Sequence, residues 1–201
     1  MLNFKSSYIA TISILAAISF TSVAKAEDKV TIIAKKQADS ELTVLGFTIG
    51  KSKLEEVQTK FKSKEINHEA DVASGIKFLC YKTSNGTTIA FESGDKGRED
   101  NVITGISINS SARPYRLAKQ CEATSLIKTK LAINGVSLGM SSDLIKRVKG
   151  APSSVSPENI VYQYEVKEDQ TSIISSLNIR FDQNAVSSIT AGKSESKYIL
   201  Q

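Results

Sequence analysis

The sequence predicts an α+β fold built from two tandem repeats, each a short helix followed by a three-stranded antiparallel meander. The first observation is a phrase, G-x-[ST]-[IL]-G-x-S, that occurs at Gly46–Ser52 and again at Gly135–Ser141. A short amphipathic helical pattern follows each phrase, and runs of alternating apolar and polar residues follow each helical pattern. Helices with one apolar stripe and strands with one apolar face must cover each other, which gives this fold class.

The predicted helix of the first repeat covers about 52–63. Ser52 and Glu55 have the spacing of a capping box, in which the hydroxyl and the carboxylate each accept from the backbone amide of the other. The apolar stripe of this helix consists of Leu54, Val57 and Phe61.

Three strands are predicted after this helix, at 75–82, 87–93 and 101–109. Asn85-Gly86 is a strong signal for a hairpin turn between the first two. In the first strand, alternation places Phe78 and Cys80 on the core face and Tyr81 on the outer face. The nominally outer faces also hold Leu79, Ala90 and Ile103, so we expect the other repeat or a partner to cover them.

The second repeat has the same order. Ser141 is the predicted N-cap of a short helix that ends near Gly150 and Pro152, and the strands that follow are predicted at 159–166, 175–181 and 186–191. The stripe of this helix is Leu144, Ile145 and Val148. The connector between the repeats is predicted to carry one more helix, at about 122–131, on Leu126, Ile127 and Leu131.

The N-terminus has the pattern of a bacterial-type signal peptide. Lys5 precedes an uncharged apolar run at 8–20, and Ala24 and Ala26 have the A-x-A spacing, so cleavage is predicted between Ala26 and Glu27. The alternative is a membrane anchor, but the apolar run is shorter than the ~20 residues that a spanning helix needs. We therefore expect a periplasmic or secreted protein without a transmembrane segment in the mature chain.

The chain has two cysteines, Cys80 and Cys121. Both lie in the exported part, where an oxidising compartment favours one disulfide between them. The net charge is +5, and removal of Lys5 and Lys25 with the signal peptide would lower it to +3. The basic residues are spread along the chain instead of forming a dense stripe, which argues against nucleic acid as a partner.

These observations divide the chain into six predicted segments. They are a signal peptide at 1–26, an N-terminal arm at 27–40, the first helix-meander module at 41–109, the connector at 110–132, the second module at 133–192 and a polar tail at 193–201.

The second repeat, in "GVSLGMSSDLIKRVKGAP…VYQYEV…LNIRFDQNAVSSI", resembles the helix-plus-meander module of the BamE/SmpA-like lipoproteins of the outer-membrane β-barrel assembly machine. Two such modules in tandem are similar to the architecture of β-lactamase inhibitory protein. The first repeat departs from the pattern, because Lys51 stands where Met is usual and the G-x-P is missing. The resemblance implies a fold and non-catalytic binding; no contact residue is carried over from either family.

The sequence offers no catalytic, cofactor-binding or metal-ligating constellation. His68 is the only histidine, and two distant cysteines with one histidine do not make the clustered ligands of a zinc site. We therefore predict that the protein is not an enzyme and uses no cofactor.

The predicted function is non-catalytic binding of another envelope or secreted protein, as an interaction, scaffold or inhibitor-like module. The alternatives are a small-ligand or lipid carrier, and a small hydrolase that uses Ser and acidic groups alone; the oligomeric state stays open. Tyr and Arg in the connector are residue types enriched at binding hot spots, and polar strand faces supply the rest of the candidate surface. This surface comprises Tyr81, Arg113, Tyr115, Arg116, Gln163, Glu165, Asn178 and Arg180.

Overall fold

A computed structural model of the chain describes residues 42–68, 75–94, 101–168 and 171–197. The predicted signal peptide, the N-terminal arm and the end of the polar tail therefore lie outside the described residues. The strands are β1 (Thr43–Val44), β2 (Phe47–Thr48), β3 (Asn67–His68), β4 (Lys77–Lys82), β5 (Thr88–Ser93), β6 (Gly105–Asn109), β7 (Glu122–Ala123), β8 (Ala132–Ile133), β9 (Val136–Ser137), β10 (Ser154–Ser156), β11 (Asn159–Glu168), β12 (Thr171–Asp182) and β13 (Ala185–Lys197). The helices are α1 (Leu54–Phe61) and α2 (Ser142–Lys149), with one 3-10 turn at Ala118–Gln120.

The fold is mostly β, and the prediction of an α+β fold with two separate helix-plus-meander repeats is wrong. One nine-stranded sheet runs through both halves in the order β10-β11-β12-β13-β6-β5-β4-β3, with β7 beside β4. The halves join where β13 pairs antiparallel with β6, with Ile189 opposite Ile108 and Gly192 opposite Gly105. This pairing is long-range, so no local pattern in the sequence signals it.

One face of the sheet carries a single hydrophobic core. Both helices and the β1-β2 and β8-β9 hairpins cover this face, and the buried cluster extends from one half to the other. Its members include Leu54, Phe61, Phe91, Ile106, Ile108, Ile133, Ile145, Leu177, Ile179 and Ile189. A core shared by both halves buries more apolar area than either half could bury alone.

The repeated phrase begins inside a two-residue hairpin turn. Leu45 and Gly46 both have positive φ (53° and 88°), and Asn134 and Gly135 match them (47° and 79°), which is the pattern of a type I′ turn. The chain after each turn is then held by backbone hydrogen bonds to a residue distant in sequence, Ile103 in the first half and Val186 in the second. Those bonds join Gly50 to Ile103 at 2.7 Å, Ile103 to Ser52 at 2.8 Å, Gly139 to Val186 at 2.9 Å and Val186 to Met140 at 2.9 Å.

The two predicted helix caps differ in outcome. Ser141 caps α2 as predicted, with its Oγ accepting from the Leu144 amide at 3.3 Å. In α1 the N-cap is Lys53, whose amide donates to Glu56 Oε1 at 3.1 Å, while Ser52 accepts instead from the Thr48 amide. The predicted Ser52–Glu55 box is therefore shifted by one residue.

Helix α2 also packs on a different stripe from the predicted one. Ile145 and Lys149 face the sheet, whereas Leu144 and Val148 are 39% and 46% exposed. The Lys149 Nζ lies 5.9 Å from the centre of the Tyr164 ring, so the lysine stem packs as an apolar side chain and its charge meets an aromatic face.

The connector contains no α-helix, which corrects the predicted helix at about 122–131. Glu122 and Ala123 form β7 and pair in parallel with Tyr81 and Lys82 of β4. The Thr124 amide continues this ladder by donating to the Lys82 carbonyl at 2.9 Å. Pairing with the edge of β4 therefore engages the backbone of 122–124, where the predicted helix would have begun.

Strand β4 is buried on both faces, and its predicted facing is inverted. Leu79 and Tyr81 point into the core, so Tyr81, predicted as an interaction residue, is only 1% exposed. Phe78 and Cys80 lie on the opposite face beneath the connector, in a second cluster that includes Tyr115. An apolar run on both faces gives no alternation from which the core face could be read.

The predicted pairing of Cys80 with Cys121 is confirmed, since their sulfur atoms lie at disulfide distance. Cys80 is on β4 and Cys121 directly follows the 3-10 turn of the connector. The bond therefore fixes the connector against the second face of the sheet.

The last three strands are longer than predicted and extend past the end of β6. β13 pairs with β6 over 188–192 and then continues to Lys197, so 193–197, predicted as part of a polar tail, form a strand. Residues 163–168, 171–176 and 193–197 make a three-stranded ribbon, which we call the β-ribbon. In the part of the chain that the structure describes, no helix has both the length and the apolar character to cross a bilayer.

Loss of the disulfide should destabilise the fold. For a sequence separation of 41 residues, we expect Cys80→Ala/Cys121→Ala to lower the free energy of unfolding by about 3–4 kcal/mol. Urea unfolding without reductant measures this difference. A reductant should lower the midpoint of the wild type and leave that of the variant unchanged; equal midpoints for both proteins without reductant would contradict the prediction.

Tyr81 should make stability depend on alkaline pH. Its hydroxyl is hydrogen-bonded to Ser63, and burial raises its pKa to about 12 against the lowering effect of that bond, with a further small increase from Glu122. The folded chain then holds the phenol proton more tightly than the unfolded chain does, so the contribution of Tyr81 is complete below pH 10 and is lost as pH rises toward 12.

We expect this effect to lower the free energy of unfolding by about 1.4 kcal/mol at pH 11. Urea unfolding at pH 9 and pH 11 measures it, and Tyr81→Phe should show a decrease between the two pH values that is smaller by that amount. A decrease of the same size in both proteins would show that Tyr81 is not responsible.

Candidate protein-interaction face

The face of the sheet opposite the helices holds most of the predicted interaction residues. The register fixes which side chains share it: Thr88 and Glu92 of β5 lie on the same face as Ser107 of β6 and Thr190 of β13. We call this surface the open face. Its two ends differ, because the connector covers β4 and β5 but leaves the strands of the second half uncovered.

Tyr115 anchors the connector on the open face. Its amide donates to Thr88 Oγ1 at 3.3 Å, and its hydroxyl donates to Glu92 Oε1 at 2.5 Å. The ring packs on Phe78, with centroids 6.3 Å apart, and is itself only 6% exposed. Tyr115 is therefore a packing residue whose polar end orients Glu92.

Arg116 completes this cluster and remains accessible. Its guanidinium lies 3.5 Å from Glu92 Oε1 and 5.6 Å from the Tyr115 ring, and its side chain is 45% exposed. Arg113 is half-buried in the turn after β6, where its amide donates to the Ser110 carbonyl at 3.2 Å. Of the three predicted connector residues, Arg116 is the one that offers a charged group to the outside.

The centre of the open face carries small, uncharged residues. Ser188 Oγ donates to Asn109 Oδ1 at 2.7 Å, and Asn109 Nδ2 donates to Ser107 Oγ at 3.3 Å. All three side chains are buried, so the two central strands present a closed hydrogen-bonded row. No ionisable side chain stands among the six positions of this row, which are Gly105, Ser107, Asn109, Ser188, Thr190 and Gly192.

A depression of about 350 Å³ lies at one end of this row. The directly opposed glycines Gly105 and Gly192 are part of its lining, and Glu92, Ser176 and Thr190 also line it. A Cβ added at Gly192 would meet its nearest neighbour, Ser176 Oγ, at 3.7 Å, an ordinary contact distance. The absence of side chains at the two glycines therefore shapes the depression, and a larger residue at 192 would fill it.

The second half supplies the longer polar side chains of the open face. Gln163 and Glu165 on β11 and Arg180 on β12 are exposed, and Asn178 is half-buried between them and the central row. Asn178 Oδ1 is buried and has no hydrogen-bond donor within the described ranges. Glu165 accepts from Ser172 Oγ at 2.6 Å and lies 3.8 Å from the Lys167 ammonium.

The structure thus gathers Tyr115, Arg116, Gln163, Glu165, Asn178 and Arg180 on one face and places Tyr81 on the other. Five further residues of this face were not predicted from the sequence: Glu92, Gly105, Ser176, Thr190 and Gly192. A glycine inside a strand pattern can signal a close approach, and this was the available signal. It becomes informative only when the register sets Gly105 opposite Gly192.

Few side chains of the types used in catalysis or metal binding occur among the residues that the structure describes. His68 is exposed on β3, opposite Lys77. Among the residues in the described ranges, no three His, Cys, Asp or Glu side chains come together as a metal site would require.

Comparisons of the chain with protein-family models, with curated proteins and with solved structures found no match to any of the three.

Proposed function

We propose that this protein is a non-catalytic binding module that recognises another protein through its open face. The observation that carries the proposal is the composition of that face. A solvated strand face usually displays long charged side chains, whereas the central row here is uncharged and small, with charged residues at its margins. Depletion of charge at the centre and polar residues at the rim is the usual anatomy of a protein interface.

The depression indicates what the partner presents. A volume of about 350 Å³ can accept one large side chain or the tip of a loop. Arg116 and Arg180 flank the row with positive charge, and Glu92 is already engaged by Tyr115 and Arg116. We therefore infer a partner that inserts a protruding side chain into the depression and places acceptor groups near the two arginines.

The proposed setting is outside the cytoplasm. The predicted signal peptide supports export, and the disulfide-bonded pair Cys80–Cys121 suits an oxidising compartment. The resemblance to BamE/SmpA-like modules is part of the same proposal and rests on sequence motifs alone. An envelope or secreted protein is accordingly the proposed partner.

Photo-crosslinking tests the open face directly. A photoreactive phenylalanine analogue at Thr190 should give one discrete crosslinked species in the envelope or secreted fraction. The analogue at Val155, which is 59% exposed and belongs to the opposite side of the sheet by register, should give none. Excess untagged wild type should compete with the crosslink at Thr190.

Filling the depression should weaken binding. Gly192→Tyr is placed on a strand with ordinary extended geometry, so we expect a folded protein in which crosslinking at Thr190 falls at least about tenfold, the effect of losing one interface hot spot. Val155→Tyr is the matched control and should crosslink at Thr190 like the wild type. Crosslinking of equal strength from Thr190 and Val155, or full crosslinking in Gly192→Tyr, would contradict the proposal.

A further inference from the structure

A second concave surface lies at the Lys82 end of β4. The β4-β5 turn forms one wall, the connector from 123 to 131 forms the other, and the volume enclosed is about 1040 Å³. We call it the basic groove, because Lys82, Lys128 and Lys130 line it. The connector reaches this position because it pairs with the edge of β4 and then continues as an irregular chain.

The charge in the basic groove is of one sign. None of the described residues that line it is Asp or Glu, and no ion-pair partner exists for its three lysines in the described part of the chain. Three like charges around one concavity repel each other, and an anion bound between them would relieve this repulsion. The charge therefore selects for an anionic ligand.

The remaining lining selects for a ligand rich in hydroxyl groups. Six Ser and Thr side chains line the basic groove, and Ser125 and Thr129 lie on the same wall as Lys128 and Lys130. Hydroxyls both donate and accept, so they match the hydroxyls of a sugar. None of the described lining residues is aromatic, which argues against nucleic acid, because single-stranded bases require stacking platforms.

One side of the basic groove is apolar and packs against the hydrophobic core. Leu131 is buried, and Ile127 and Leu138 are half-buried against the core cluster. Such side chains can pack against the C–H face of a sugar ring. The volume is at the upper limit of the roughly 300–1,000 Å³ that is usual for small-molecule sites, which favours an oligosaccharide over a single sugar.

We propose that the basic groove binds an acidic oligosaccharide, with its anionic groups on the lysines and its hydroxyls on the Ser and Thr side chains. The anionic groups are carboxylates or phosphate esters, which share the chemistry that Lys recognises. This site does not depend on the proposed protein-binding function, because Gly192→Tyr fills the depression of the open face and leaves every lining residue of the basic groove in place.

Calorimetric titration at physiological ionic strength tests the proposal with four probes. Hexagalacturonate carries carboxylates on an oligosaccharide, maltohexaose phosphorylated at O6 carries phosphate esters on an oligosaccharide, maltohexaose is neutral, and hexaglutamate is anionic without sugar. We expect hexagalacturonate or phosphorylated maltohexaose to bind at least about tenfold more tightly than both maltohexaose and hexaglutamate, because charge-assisted bonds and hydroxyl contacts are then used together. Whichever of the two binds more tightly identifies the anionic group.

Two matched triple variants locate the site. Lys82→Gln/Lys128→Gln/Lys130→Gln should weaken binding about tenfold or more, whereas Lys62→Gln/Lys64→Gln/Lys146→Gln, which removes the same charge from exposed positions elsewhere, should not. Backbone amide shifts in NMR spectra should change at Ser125, Lys128 and Lys130 on addition of the tighter probe.

Ser125→Ala/Thr129→Val separates recognition of sugar from recognition of charge. This variant should bind the acidic oligosaccharide less tightly than the wild type does. Its affinity for hexaglutamate, which is already weaker, should be unchanged. Equal losses in the two lysine variants, equal affinity for hexaglutamate and hexagalacturonate, or no binding of either acidic sugar would overturn the proposal.

Discussion

The pairing of β6 with β13 is the constraint on which the rest of the structure depends. Five residue pairs, from Gly105–Gly192 to Asn109–Ser188, join the two halves of the chain into one sheet. Because the core face is then continuous, Ile108 and Ile189 bury each other together with the helices above them. The same register sets the two glycines opposite each other on the open face, so the packing and the candidate site arise from one alignment.

The parts of the fold that follow local rules could be predicted from the sequence. Asn85-Gly86 and the alternation in β12 gave a turn and a strand in the right places, and Ser141 caps its helix. The fold class could not be predicted, because the pairing of β6 with β13 leaves no trace in the pattern of either strand. The predicted connector helix is wrong for a related reason: the spacing of apolar residues does not show that the edge of β4 is available for pairing.

Only the polar residues at the margin of the candidate site could be predicted from the sequence. Arg116 was predicted because Arg is a typical interface residue, and Arg180 because it lies on a polar strand face, whereas Tyr81 was misplaced because β4 is apolar on both faces. The depression depends on missing side chains at Gly105 and Gly192, which a search for reactive or charged residues cannot find. The basic groove likewise exists only after the connector is folded beside the β4-β5 turn.

The β-ribbon has a consequence for how the protein behaves at high concentration. On the side of β11 away from β12, no described strand pairs beyond Val161, so that edge offers backbone groups for pairing with another chain. Glu165 and Lys167 place charged side chains along that edge, and charged residues on an edge strand are a usual means of disfavouring edge-to-edge pairing. The neighbouring β10 is only three residues long, which shortens the template further. The sheet thus ends in a border that discourages edge-to-edge assembly of chains into fibres at high concentration.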